Sequence, residues 1–163
     1  MKKIEIMDKE ADKVILKWSA GGLIGNLAPP PFDSIAVVSA MAKMGYDIAI
    51  IYEDVEFTKD EAWQLAKLVL KAMRSVGFAA KLGTNLLKYI PGVNVWVALF
   101  VQPPIVAAMS YTTGQSYKKY YRTIQLTGKK PEDSEMVKFA KSIFKQKLEE
   151  AKIELKKKGL IKK

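Results

Sequence analysis

The sequence predicts an all-α protein, folded as a compact bundle of about five to seven helices. Apolar residues recur at three- and four-residue spacing through most of the chain, as the buried face of a helix requires. Prolines interrupt the apolar segments, and long charge-free stretches suit the centre of a helical core. The 163 residues, 49% hydrophobic and 27% charged, are enough for one folded domain.

Two parts of the chain differ in character. We expect residues 1–127 to form an apolar helical core with proline-broken hairpins. Residues 128–163 are expected to form a long basic C-terminal helix, packed on that core or on another subunit.

The first predicted helix covers about residues 5–27 and ends at a proline turn. Pro29, Pro30 and Pro31 stop it, because each residue that precedes a proline is pushed out of the α region. Asp33 or Ser34 then caps a second helix over about residues 34–53.

A third helix over about residues 59–76 begins at a capping box. Thr58 supplies the hydroxyl, and Glu61 supplies the carboxylate three residues later. Residues 78–90 are expected to continue as helix until Pro91 and Gly92, which are typical of a turn.

The next segment is charge-free from residue 89 to residue 117. Residues 93–102 predict a short apolar helix, or less readily a strand. Pro103 and Pro104 interrupt it, and a helix resumes over about residues 105–126.

The final helix is predicted over about residues 133–158, capped by Asp133 or Ser134 and ended by Gly159. One apolar stripe runs along it at spacings of three and four: Val137, Ala140, Phe144, Leu148, Ala151 and Leu155. This stripe needs a partner surface, either the body of the domain or a copy of the helix. For a homo-oligomer, we expect Phe144, Leu148, Ala151 and Leu155 to form the contact.

The net charge of +10 is placed unevenly. Residues 1–117 contain 12 basic and 11 acidic residues, whereas residues 118–163 contain 15 basic and 6 acidic residues. A basic end beside an apolar body favours an anionic partner, such as a membrane leaflet, a nucleic acid or an acidic protein. A lysine-rich face that only keeps the protein in solution is the alternative.

The segment 117–122 follows the charge-free stretch directly. On a helix its three tyrosines share one face and its three cations flank that face. Rings beside cations are favoured at lipid headgroups and also stack on nucleic acid. The alternative is tyrosines packed on a neighbouring helix with lysines in water. We expect contact with a membrane or another anion at nine residues: Tyr117, Lys118, Lys119, Tyr120, Tyr121, Arg122, Lys156, Lys157 and Lys158.

The composition argues against catalysis. The chain has no histidine and no cysteine, so the usual general base near neutral pH and the thiol nucleophile are missing. No glycine-rich phosphate loop is present. The acidic residues 53–56 are more typical of a solvated loop than of a cation site. We therefore expect no catalytic residue, no metal and no cofactor.

The charge-free stretches fit an ordinary membrane span poorly. A spanning helix needs about 20 apolar residues, and prolines divide the longer stretch. Two interpretations of these stretches stay open: the core of a soluble bundle, and a hairpin that enters the lipid without crossing it. No secretory signal is visible at the N-terminus, so we expect a cytoplasmic protein, peripheral to or embedded at the inner face of the cell membrane.

Several short motifs resemble a known helical family. They are Pro29-Pro-Pro-Phe-Asp33, Met44-Gly45-Tyr46, Lys88-Tyr-Ile-Pro-Gly92, and Tyr111-Thr-Thr-Gly114 followed by residues 117–121. This pattern resembles a domain of unknown function associated with GTPases, found behind Era-like GTPase domains and in GTPase-linked bacterial inner-membrane proteins. The resemblance covers about residues 20–122. It implies a membrane-proximal helical module that serves a GTPase in trans, since this chain carries no GTPase domain, and it implies no catalytic residue.

The sequence therefore predicts a non-enzymatic helical protein that acts at a membrane surface or as the partner module of a GTPase. The alternative is a soluble homo-oligomeric scaffold that uses the C-terminal helix. Nucleic-acid binding is the weakest of these hypotheses, because no readout motif is visible.

Overall fold

The computed structural model describes residues 2–22, 35–52, 57–76 and 102–159. These residues contain no strand and form five α-helices and one π-helical turn, which confirms the predicted all-α bundle. The elements are α1 (Lys2–Lys17), the π-helical turn (Trp18–Gly22), α2 (Ile35–Ala49), α3 (Lys59–Ser75), α4 (Gln102–Thr127) and α5 (Asp133–Lys157).

Several predicted features lie outside the described residues. They are the helix expected over residues 78–90, the helix expected over residues 93–102 apart from its last residue, and six of the turn residues: Pro29, Pro30, Pro31, Asp33, Pro91 and Gly92.

Helix α3 begins as its sequence predicts. The Thr58 hydroxyl accepts from the backbone N–H of Glu61 at 3.2 Å, and the Glu61 carboxylate accepts from the backbone N–H of Thr58 at 3.1 Å. Both halves of the capping box are thus formed, and two backbone donors that a helix start leaves without partners are satisfied.

Helix α4 begins at Gln102, three residues before its predicted start. Pro103 and Pro104 therefore lie in the first turn of the helix instead of preceding it. A proline is tolerated there because the first N–H groups of a helix have no intrahelical acceptor.

The two ends of α5 differ in how well the sequence predicted them. Its N-cap is Glu132, which makes no side-chain capping bond, so the prediction of Asp133 or Ser134 is wrong. Asp133 instead lies in the first turn, where its negative charge interacts favourably with the positive end of the helix dipole. Gly159 follows the C-cap Lys158 with a φ of +71°, a conformation that suits glycine, and the predicted stop is confirmed.

Helix α4 lies at the centre of the bundle and packs against α1, α2, α3 and α5. Helix α5 packs on α3 and α4, so the long final helix rests on the body of its own chain. The buried side chains of all five helices join in one apolar cluster.

Two glycines let helices approach closely. A Cβ on Gly45 of α2 would lie 2.3 Å from the ring of Tyr117, and a Cβ on Gly114 of α4 would lie 2.5 Å from Ile15. Each glycine therefore receives a side chain of another helix.

Helix α4 also buries four hydroxyl side chains, those of Ser110, Thr112, Thr113 and Ser116. Thr112, Thr113 and Ser116 each donate to the carbonyl four residues earlier at 2.8 Å. These bonds satisfy the hydroxyls within α4 itself, so their burial costs little.

Candidate anion-contact surface

Tyr117 and Tyr121, two of the nine residues expected to contact an anion, lie in the core. Both are 0% exposed. The Tyr117 hydroxyl donates to the carbonyl of Ala62 in α3 at 2.6 Å, and the Tyr121 hydroxyl donates to the carbonyl of Gly45 in α2 at 3.1 Å. The prediction that these two rings meet a membrane is wrong, because their aromatic face is the face on which α4 packs against α2 and α3.

The two rings belong to a cluster of aromatic side chains. The Tyr117 and Tyr121 rings stack with centroids 6.1 Å apart. The Phe57 ring lies nearly perpendicular to the Tyr121 ring with centroids 5.0 Å apart, and the Tyr52 ring lies 5.9 Å from that of Tyr121. Such pairs add to the energy of apolar burial.

Burial also perturbs the acidity of this cluster. It raises the pKa of Tyr117 well above the ordinary value of 10.0, because water is excluded from the charged form. The pKa of Tyr121 rises first by burial and then by the neighbouring tyrosines. The pKa of Tyr52 rises first by burial and then by its hydrogen bond to Asp8. These phenols stay protonated and serve as donors.

Tyr120 is half-buried, with its ring 5.7 Å from that of Tyr121 in an edge-on arrangement. Burial raises its pKa, and the carboxylate of Asp133 adds to the rise. Tyr120 therefore faces the start of α5.

The three cations of the segment 117–122 make ion pairs with neighbouring helices. Lys118 lies 2.8 Å from Asp12 and Arg122 lies 3.1 Å from Asp8, both on α1. Lys119 lies 2.7 Å from Glu135 on α5, and the Lys118 side chain is only 16% exposed. This segment joins helices, so its cations are less available to an outside anion than the sequence predicts.

The same acidic side chains of α1 accept further bonds. The Tyr52 hydroxyl donates to Asp8 at 2.6 Å, and the Gln115 amide donates to Asp12 at 3.2 Å. The π-helical turn is tied to α2 by Trp18, which donates to Asp47 at 3.0 Å. Polar contacts thus hold α1 on the bundle in addition to its buried residues Met7, Ala11 and Ile15.

The residues predicted to contact another subunit are buried within the chain. Phe144, Leu148, Ala151 and Leu155 are between 0% and 6% exposed, and they belong to the face of α5 that packs on α3 and α4. The oligomer contact assigned to these four residues is wrong, because their apolar surface is already covered.

The three lysines at the end of α5 are exposed, as an anion contact requires. Lys158 lies 2.5 Å from Glu154. Lys156 also belongs to a longer array of lysines along the helix.

That array is formed by five lysines on one face of α5, and we call it the α5 lysine row. It consists of Lys138, Lys141, Lys145, Lys152 and Lys156. With Glu149, these positions are spaced three or four residues apart, so they share one face of a helix. Glu149 is the acid of this face and lies 3.9 Å from Lys152. At 1.5 Å per residue the row is about 27 Å long.

The sequence interpretation missed four of these five lysines, although their signal is visible there. Each member of the row follows an apolar-stripe residue by one position, so the row repeats the stripe spacing turned by about 100° around the axis. Lys138, Lys145 and Lys156 are exposed, and Lys141 and Lys152 are half-buried.

A cleft of about 460 Å³ lies between the outer side of α3 and the first residue of α5. Lys67, Lys71, Asp60 and Gln64 of α3 line it together with Asp133 of α5, and Lys130 pairs with Glu61 across it. Its lining also includes Leu65, Leu68 and Tyr120.

Among the described ranges, no group of three or more acidic side chains is arranged to hold a metal ion. None of the helices described is long and apolar enough to cross a membrane.

The comparisons identify the family. A profile described as Domain of unknown function (DUF697) matches residues 2–148 of this chain, and the protein belongs to that family. The comparisons with curated proteins and with solved structures found no match.

Proposed function

We propose that this protein is a non-enzymatic helical module that binds an anionic membrane surface, at the inner face of the cell membrane. The observation that supports the proposal is the α5 lysine row, which places five cations along about 27 Å of one helix face. Each lysine near an anionic leaflet contributes about 1 kcal/mol, so this row suffices for reversible binding.

The outer position of the row is what makes it available. The cations of residues 118–122 have acidic partners at 2.7–3.1 Å, whereas in the row Lys152 lies no closer than 3.9 Å to Glu149. An ion pair must be broken before its lysine meets a lipid phosphate. The lysines of the row can meet lipid phosphates with little breaking of ion pairs.

Co-sedimentation with lipid vesicles tests this proposal. We expect the protein to sediment with vesicles rich in phosphatidylglycerol at low salt and to be released as salt is raised. Vesicles of pure phosphatidylcholine leave it in solution. A lack of binding to the anionic vesicles at low salt would contradict the proposal.

A pair of matched variants locates the effect. The variant K138Q/K145Q/K156Q removes three charges from the row and is expected to lose about 3 kcal/mol of binding. The control K2Q/K9Q/K17Q removes three charges from exposed positions of α1. Equal losses in both variants would indicate attraction by net charge alone.

We also propose, as a second function, that the protein serves a GTPase in trans. Support comes from the resemblance of its motifs to a GTPase-associated helical domain. Titration with a purified GTPase encoded by a neighbouring gene, in GDP-bound and GTP-analogue forms, tests it. Affinity that does not differ from that of an unrelated acidic protein would contradict this proposal.

The homo-oligomeric scaffold is the alternative, without the contact residues first assigned to it. Sedimentation at several protein concentrations tests it, and a strict monomer rules it out.

A further inference from the structure

We propose that one side of the bundle, formed jointly by α3 and α5, lies flat on the anionic leaflet, with Lys67 and Lys71 of α3 beside the α5 lysine row. This inference rests on the proposed membrane function and assigns the face and orientation that would carry it. It adds a second helix to the contact.

Helices α3 and α5 run side by side in the same direction. They pack against each other and both pack on α4. Glu61 in the first turn of α3 pairs with Lys130, three residues before α5 begins. Both helices therefore start at the same end of the bundle, the end where α4 finishes.

The side chains around α5 fix where its lysine row points. Glu135 and Lys147 reach α4, through Lys119 and the ring of Tyr111 respectively. Asp133 borders the cleft toward α3. At about 100° per residue, the row lies on the solvent side of α5, next to the α3 edge and away from α4.

Helix α3 presents its own cations beside the same cleft. Lys67 and Lys71 are exposed, four residues apart and on one face. Both line the cleft whose opposite edge is formed by the start of α5. Because axes of packed helices lie about 8–10 Å apart, the two sets of lysines form neighbouring rows.

The arrangement of these rows decides which anion they fit. A single row of cations matches a rod-like polyanion as well as a plane. Two parallel rows on adjacent helices spread charge in two dimensions, and this arrangement fits the many phosphates of a planar leaflet. The acids Asp60 and Glu149 lie at the same side and limit its net charge, so binding should be reversible by salt.

Helix α1 offers a control surface across α4. From α4, Tyr117 reaches α3 and Lys119 reaches α5, whereas Lys118 and Arg122 reach α1. The exposed lysines of α1 therefore point to another side of the molecule.

Removing charge from α3 in the 163-residue chain tests the proposal. The variant K67Q/K71Q should bind phosphatidylglycerol vesicles about 25-fold more weakly, at about fivefold per lysine. The two-charge control K9Q/K17Q on α1 should bind nearly as well as the wild type. Equal weakening in the two variants would overturn the α3 contact while leaving the α5 row, and the proposed function, intact.

Site-specific labels test the orientation independently of charge removal. The sequence contains no cysteine, so Q64C on α3, E149C on α5 and L16C on α1 can each carry one environment-sensitive fluorophore. All three positions are exposed. We expect a vesicle-induced emission shift at positions 64 and 149 and none at position 16. A shift at position 16 alone would overturn the proposed orientation.

Two further outcomes separate this inference from its alternatives. If the wild type binds no anionic vesicle at low salt, the proposed function fails and the inference fails with it. If a duplex nucleic acid binds more tightly than vesicles at equal salt, and K67Q/K71Q abolishes that binding, the face is a nucleic-acid surface and the lipid assignment is overturned.

Discussion

The segment 117–122 of α4 and the lysine row of α5 contain similar cations in opposite surroundings. In α4, the cations are held by acids of α1 and α5, and two of the tyrosines are fully buried. In α5, the row projects from the outside of the bundle. The difference lies in position, because α4 is surrounded by four helices and α5 lies at the edge. The density of lysine and tyrosine in a segment does not reveal whether its charges serve the fold or a partner.

The largest expected effect comes from removing a ring of the α4 segment. Tyr121→Ala should lower the free energy of unfolding by about 3–5 kcal/mol, because it empties a fully buried site and leaves a cavity. Urea denaturation measures this change. The control Tyr46→Ala, at a side chain 41% exposed, should cost less than half as much. Similar small losses in both variants would place Tyr121 at the surface.

Alkaline pH should destabilise the same region. Burial raises the pKa of Tyr117 and of Tyr121 above 10.0 in the folded state. The folded protein therefore keeps two protons that the unfolded chain loses above pH 10. This stabilisation is complete below pH 10 and falls above it, by about 2.7 kcal/mol per pH unit for the two groups, and Tyr52 adds to the loss in the same direction.

Urea unfolding between pH 9 and pH 11.5, followed together with tyrosinate absorbance, checks this dependence. Tyr117→Phe should reduce the slope by about 1.4 kcal/mol per pH unit, the contribution of one group. Titration of every tyrosine near pH 10 without loss of helix would contradict the buried arrangement.

A smaller effect is expected at the contact between α2 and α4. Gly45→Ala places a Cβ 2.3 Å from the Tyr117 ring and should destabilise the protein by about 1–3 kcal/mol. Thermal unfolding measures the loss. Ser39→Ala at an exposed position of the same helix is the control and should change stability by less than about 0.5 kcal/mol. A neutral Gly45→Ala would show that the two helices do not approach this closely.

The smallest effect is expected from a lysine-to-glutamine substitution, made once in the α4 segment 117–122 and once in the α5 lysine row. Lys118→Gln breaks a partly buried pair with Asp12 and should cost about 1 kcal/mol of stability. Lys145→Gln lies on the exposed row and should leave stability within about 0.5 kcal/mol while weakening vesicle binding. Chemical denaturation and co-sedimentation together measure the pair. The reverse pattern would exchange the roles assigned to the two segments.

Local signals predicted the parts of the fold that depend on nearby residues. The capping box at Thr58 and the glycine stop at Gly159 involve atoms only a few residues apart, so the sequence specifies them directly. The start of α4 was misplaced, because the same Pro103-Pro104 pair suits both a break between helices and the first turn of a helix.

The candidate site was less predictable, because it depends on which helices become neighbours. The acids that hold Lys118 and Arg122 lie more than 100 residues earlier in the chain, and no local pattern connects them. The amphipathic pattern of the tyrosine face suits lipid and a neighbouring helix equally, and the structure shows the neighbouring helix for Tyr117 and Tyr121. The α5 lysine row, by contrast, depends only on the spacing of lysines within one helix, so the sequence contains enough information to predict it.

The two glycine contacts of α4 have a mechanical consequence. Tyr117 enters the gap at Gly45 of α2, and Ile15 of α1 enters the gap at Gly114. A shift of α4 along its axis would move Tyr117 away from Gly45 and toward residues three or four positions along α2, such as Met41 or Ile48, which carry larger side chains. The two glycine contacts therefore resist sliding of the central helix along its axis. Any rearrangement that keeps both contacts must leave α4 at its present height against α1 and α2.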